Sequence, residues 1–123
     1  MAALTDYDRG VIVGLLIADG SFGGDGKQPQ VTLRKHTRHE SLVGWLAARI
    51  PGSRVYGPYH HGGRSYLQWM VRGRPLVEEL LPLLEAGLHP QLDSHAAERL
   101  AEMTERYARF IARERRRPPD AVA

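Results

Sequence analysis

The order of apolar periodicities along this chain predicts an α+β fold. The elements run αββαββα, with a four-stranded antiparallel sheet, helices on one face and a trailing C-terminal helix. Three observations carry this. Stretches with helical spacing alternate with pairs of period-two stretches, a glycine-rich turn joins each pair, and the helix–hairpin unit occurs twice within 123 residues. That length suits one compact domain, expected over 1–113, followed by a basic, disordered tail over 114–123.

Taken in order, Thr5 and Asp8 form an S/T-x-x-D/E start signal for a helix running to about Asp19. Gly20 reads as its left-handed stop. Ser21 and Phe22 lead into a Gly-Gly-Asp-Gly turn at 23–26, then an alternating strand from Gln28 to Lys35 in which Val31 and Leu33 point inward. Thr37 and Glu40 repeat the capping signal ahead of Leu42, Val43, Trp45, Leu46 and Ile50, and Pro51-Gly52 ends that helix. A second hairpin runs from Arg54 to Tyr59 and from Ser65 to Arg72, with His60-His61-Gly62-Gly63 as its turn and Leu67, Trp69 and Val71 inward. Pro75 opens a third helix that closes at Gly87, and the last helix covers about Asp93 to Arg113.

Composition removes several classes of function. With no cysteine there are no disulfides and no thiolate zinc sites, and no two of the six histidines make an HExxH pair. The start does not read as a signal peptide. The apolar run Val11–Ala18 is far shorter than the roughly 20 residues that cross a bilayer, so a cytoplasmic protein without membrane contact is expected. A formal charge of +3 leans toward a polyanionic partner.

The first helix is the most informative segment. Gly10, Gly14 and Ala18 are four apart and line one stripe. Glycine inside a helix costs about 1 kcal/mol against alanine, so two of them need a reason. The stripe packs either on the chain's own sheet or on an identical helix across a two-fold axis. Asp19 sits at the helix C-terminus, where the dipole disfavours negative charge. A plain turn aspartate would explain it. So would a carboxylate that meets its symmetry mate around a divalent cation, for which oxygen ligands suit Mg²⁺.

The segment Ile12-Val13-Gly14-Leu15-Leu16-Ile17-Ala18-Asp19-Gly20 resembles the LAGLIDADG motif of homing endonucleases, departing at Ile17, where the motif's name has its first aspartate. The αββαββα order is also that family's fold. The resemblance implies a homodimer joined through the first helix (Gly10, Val11, Gly14, Leu15 and Ala18). It implies Mg²⁺, or Mn²⁺ as a substitute, held by Asp19 with the main chain at Ala18 and Gly20, and Lys35 as a catalytic helper. A second lysine is expected after the third helix, but none occurs between Leu84 and Leu92. His89 is the candidate there, with Arg72 or Arg74 as substitutes from the strand side.

The resemblance further implies that the sheet forms a saddle in the major groove of double-stranded DNA, where all four base pairs are distinguishable. Ser21 and the outward positions Gln28, Gln30, Thr32, Arg34, Arg54, Tyr56, Arg64, Tyr66, Gln68 and Arg72 would make the contacts. A wet antiparallel face shows such alternation in any case. However, neither 28–35 nor 54–74 contains an acid, and the carboxylates concentrate in the helices. The implied function is metal-dependent hydrolysis of both strands at a long pseudo-palindromic site, as in intron-encoded endonucleases. The alternatives are a catalytically inactive DNA-binding regulator or splicing cofactor on the same scaffold, and an interaction domain unrelated to nucleic acid.

Overall fold

In a computed structural model, residues 3–118 are described. Helix α1 spans Asp6–Asp19 and opens with the expected capping box: the Thr5 hydroxyl accepts from the Asp8 N–H at 3.0 Å, and the Asp8 carboxylate accepts from the Thr5 N–H at 3.2 Å. Its apolar face (Ile12, Val13 and Leu16) is buried. Gly20 ends the helix, though not in a left-handed conformation. Its backbone is extended (φ −76°, ψ 150°) and strand β1 (Gly20–Gly24) begins on it directly. Glycine is required there by close approach, because a Cβ would fall 2.6 Å from the Leu16 carbonyl oxygen.

Strand β2 (Pro29–His36) starts one residue later than expected. Gln28 instead belongs to the turn, where its N–H and that of Lys27 donate to the Asp25 carboxylate at 2.9 and 2.8 Å. These backbone bonds hold the Asp25 carboxyl below its ordinary pKa. Their contribution to the turn is present above the unfolded carboxyl's pKa and is lost as pH falls through the lower folded value.

Between the two hairpins lies a 3-10 turn (Thr37–His39), then α2 (Glu40–Arg49). The second capping signal is not realised. His39, at the N-cap, makes no side-chain cap bond, and it is the His36 ring Nδ1 that accepts from the Arg38 N–H, at 3.0 Å. Strands β3 (Arg54–His61) and β4 (Arg64–Arg72) turn on Gly62-Gly63 alone, both at positive φ (58° and 77°). A two-residue turn of that kind matches strand twist, so the hairpin zips up further and His60 and His61 become strand residues.

The remainder is helical. The third expected helix begins at Gly73 in three pieces: α3 (Gly73–Pro75), a π-helical segment (Leu76–Leu80) and α4 (Leu81–Gly87). Pro82 has no N–H for the Glu78 carbonyl, and the wider turn just before it accommodates the lost bond. The trailing helix is two, α5 (Ser94–Arg106) and α6 (Ala108–Arg116), broken at Tyr107. Helical backbone thus continues beyond the boundary expected at 113, with Glu114 buried, while 119–123 lie outside the described residues.

The sheet order is β1-β2-β4-β3, all antiparallel. Register sets Phe22 beside Val31, Val31 beside Val71, and Leu33 beside Trp69. These residues and Leu67 form the buried face, which joins α1, α2 and the Leu76–Leu84 helical segment in one core. Among the described residues, the opposite face contributes none to that core.

The α5–α6 junction also holds the first hairpin, as the Gly26 N–H donates to the Tyr107 hydroxyl at 2.9 Å. Tyr107→Phe should keep the fold, cost about 1 kcal/mol in a denaturant titration and expose the Gly26 amide to hydrogen exchange.

Candidate nucleic-acid interface and metal centre

Strands place side chains alternately, so the buried series defines the other face by register. Ser21 lies beside Thr32 and Thr32 beside Met70; Gln30 lies beside Arg72 and Arg34 beside Gln68. On the far side Arg54 faces Met70, Tyr56 faces Gln68 and His61 faces Arg64. The expected outward residues therefore share one face, except Gln28. That residue sits in the turn with its side-chain oxygen against Gly73, where a Cβ would be 2.6 Å away.

Alternation alone missed Tyr59. A bulge between Tyr56 and Tyr59 shifts the register, so Tyr59 pairs with Tyr66 on the outward face, ring centroids 5.3 Å apart. Gly57-Pro58 inside a strand pattern was the available signal, since proline there marks a bulge or an edge. Arg34 stacks 5.5 Å from the Tyr66 ring centre and donates to the Gln68 side chain at 3.0 Å.

No aspartate or glutamate occurs in any of the four strands. Five helical arginines face carboxylates: Arg9 pairs with Asp6, Arg49 with Asp8, Arg74 with Glu78, Arg99 with Glu102 and Arg115 with Glu85. Among the described residues, Arg34, Arg54, Arg64 and Arg72 have no carboxylate partner. The charged side chains of that face, Arg34, Arg54, Arg64 and Arg72, are thus all cations.

Asp19 lies where α1 becomes β1, and Lys35 reaches it from β2 with Nζ 3.0 Å from the carboxylate. The ammonium offsets the unfavourable end of the helix dipole. The Asp19 side chain remains 40% exposed, open to a further ligand. Its hard oxygens fit a divalent cation. Among the described residues, however, no three carboxylates or imidazoles converge there.

The expected stand-ins for a second lysine have surroundings of their own. Arg72 is at the far end of β4 from Leu67, the neighbour of Lys35, roughly 16 Å along the strand. Arg74 is engaged by Glu78 and by the Pro118 carbonyl. His89 is exposed in the 88–93 connection, where its own carbonyl accepts from Leu92 and Asp93.

The small-residue stripe does not pack on the sheet. Gly10, Gly14 and Ala18 are exposed, with Val11 and Leu15 half-buried, and a Cβ at either glycine would meet nothing within 4 Å. Beside the stripe, an apolar groove of about 600 Å³ runs between α1 and α4, lined by Val13, Ile17, Leu83 and Leu92.

This arrangement of helices and hairpins is the fold of the LAGLIDADG homing endonucleases. No family model and no curated protein matches the chain. Among solved structures, it resembles a lysine-to-alanine mutant of the meganuclease I-SmaMI (TM-score 0.58, 14% identity) over 89% of this chain and 47% of that one. It also resembles the homing endonuclease I-TnaI (TM-score 0.57, 14% identity), covering 94% of this chain and 96% of that one. A third is I-CeuI, a group I intron-encoded homing endonuclease complexed with DNA (TM-score 0.56, 14% identity), over 100% and 72%. The chain thus spans about half the length of I-SmaMI and nearly all of I-TnaI. No described helix is long and apolar enough to cross a membrane.

Because no described residue crowds Gly14, Gly14→Ala should stabilise the dilute protein through helix propensity by up to about 1 kcal/mol, read as a higher melting temperature. If a second helix packs on the stripe, the same change should weaken self-association measured by sedimentation.

Proposed function

We propose that the protein is a site-specific DNA endonuclease working as a homodimer, with the outward sheet face in the major groove and Asp19 at the scissile phosphates. The observation that carries DNA binding is the sheet itself: four strands without a single acid, whose arginines have no carboxylate partner among the described residues. A polyanion is the complementary surface. Gln30 and Gln68 are suited to adenine and Arg54 and Arg72 to guanine. Thr32 and Ser21 suit either.

The dimer reading rests on two helical glycines facing open space. Pairing α1 with its copy would give those glycines a purpose and bring two Asp19 carboxylates together, completing what one chain lacks. Asp19, with main-chain oxygen near Ala18 and Gly20, would hold Mg²⁺, or Mn²⁺ in its place. When bound, that ion supplies activation of water and neutralisation of charge on the phosphate. The role of Lys35 is to hold the Asp19 carboxylate in position and present an ammonium beside the phosphate.

A second reading, DNA binding without cleavage, is favoured by one observation: no lysine follows α4, and Arg74 is already engaged. The two readings separate cleanly. With Mg²⁺ and a randomised duplex library, the endonuclease should cut a selected site, and Asp19→Asn should lower cutting by at least about a hundredfold while leaving binding within a few-fold. Tight, salt-sensitive binding with no cutting in Mg²⁺ or Mn²⁺ would establish the regulator instead.

A further inference from the structure

We infer that a cationic pocket at the end of the sheet is a discrete phosphate site, taking one phosphodiester of the DNA backbone and fixing the sheet's register beside Asp19. The pocket, about 580 Å³, lies between the end of β2 with its 3-10 turn and the Gly62-Gly63 tip of the second hairpin. Arg34, Lys35, His36, Arg38, Arg64 and Ser65 are among its lining, and no carboxylate is.

The lining presents donors. Arg38 and Arg64 are exposed and have no carboxylate partner among the described residues. Lys35 ties the pocket to Asp19 through its 3.0 Å ion pair. The His36 Nδ1 accepts the Arg38 N–H at 3.0 Å, so a neutral ring carries its proton on Nε2 and becomes another donor. The Ser65 hydroxyl is shared with His60 Nδ1 at 2.7 Å, which anchors the second wall. Fork-shaped guanidiniums from two separate segments, with no anion of their own, match phosphate oxygens.

The pocket shares Arg34, Arg64 and Tyr66 with the outward ladder and adds Arg38 from outside it. Gln30, Thr32 and Gln68 stand mid-strand, where base edges would be read, whereas Arg38 lies outside any strand and Arg64 opens β4 at the tip. Phosphate contacts position a protein without carrying sequence information. Arg38 and Arg64 therefore act as positioning residues. The DNA source of the phosphate rests on the function proposed above.

Two measurements test this on the intact chain. First, inorganic phosphate is titrated while the Ser65 and Arg64 amide resonances are followed by NMR. They should shift saturably, and Arg38→Gln/Arg64→Gln should abolish the shift. Second, binding of the selected duplex is measured against salt. The double variant should lose affinity equally for selected and altered sites, and the slope of log K against log salt should shrink by about 0.9 if one phosphate contact is lost. A double variant with unchanged slope and no phosphate-induced shift in the wild type overturns the pocket. Loss of base preference in place of slope would make these residues base readers, and overturns it too. Saturable phosphate binding in a protein that ignores duplex DNA keeps the pocket and removes DNA as its occupant.

Discussion

Gly20 stands so close to the Leu16 carbonyl that no side chain fits between them. Helix α1 therefore passes into β1 without a connecting residue, and the helix axis and the sheet are locked at a fixed angle. Everything at the candidate metal centre follows from that junction. Asp19 becomes the last helical residue before the sheet, Lys35 on the neighbouring strand reaches it, and the exposed glycine stripe leads straight to it. A longer connection would let the carboxylate swing away from the lysine and from the face that carries the arginines.

Much of the fold was legible because two periodicities rarely imitate each other. Val31–Leu33 and Leu67–Trp69–Val71 alternate strictly, and the structure buries all five in register. The capping box at Thr5–Asp8 was readable because both its bonds are local. What failed depended on neighbours distant in sequence or on backbone geometry. The Thr37–Glu40 signal fits the same S/T-x-x-D/E pattern, yet His36 takes over the Arg38 amide and a 3-10 turn forms in its place. Gly20 was rightly marked as an end but for the wrong reason, since its constraint is distance to Leu16 and not a left-handed angle.

The candidate site was legible to a different degree. Asp19 and Lys35 are 16 positions apart; alternation put Lys35 at a strand end, but only the resemblance assigned it to the same site as Asp19. Arg74 illustrates the opposite case. Its charge suggested a substitute for a missing lysine, but Glu78 and the Pro118 carbonyl occupy it, and pairing of that kind leaves no mark on local sequence pattern. Tyr59 joined the outward face because a bulge at Gly57-Pro58 breaks the alternation that would have placed it elsewhere.

The outward ladder has a bearing on how such a surface can change over time. Gln30, Thr32, Met70 and Arg72 make no side-chain bond with one another among the described residues, so each can be exchanged at little cost to folding. Arg34, Gln68, Tyr66 and Tyr59 are different: one bond and two ring contacts tie them into a unit. Substitutions there are coupled rather than additive. The face is thus an alphabet of mostly independent letters with a single ligature. Drift toward new binding partners can proceed one position at a time everywhere except at that foursome, which has to change as a whole.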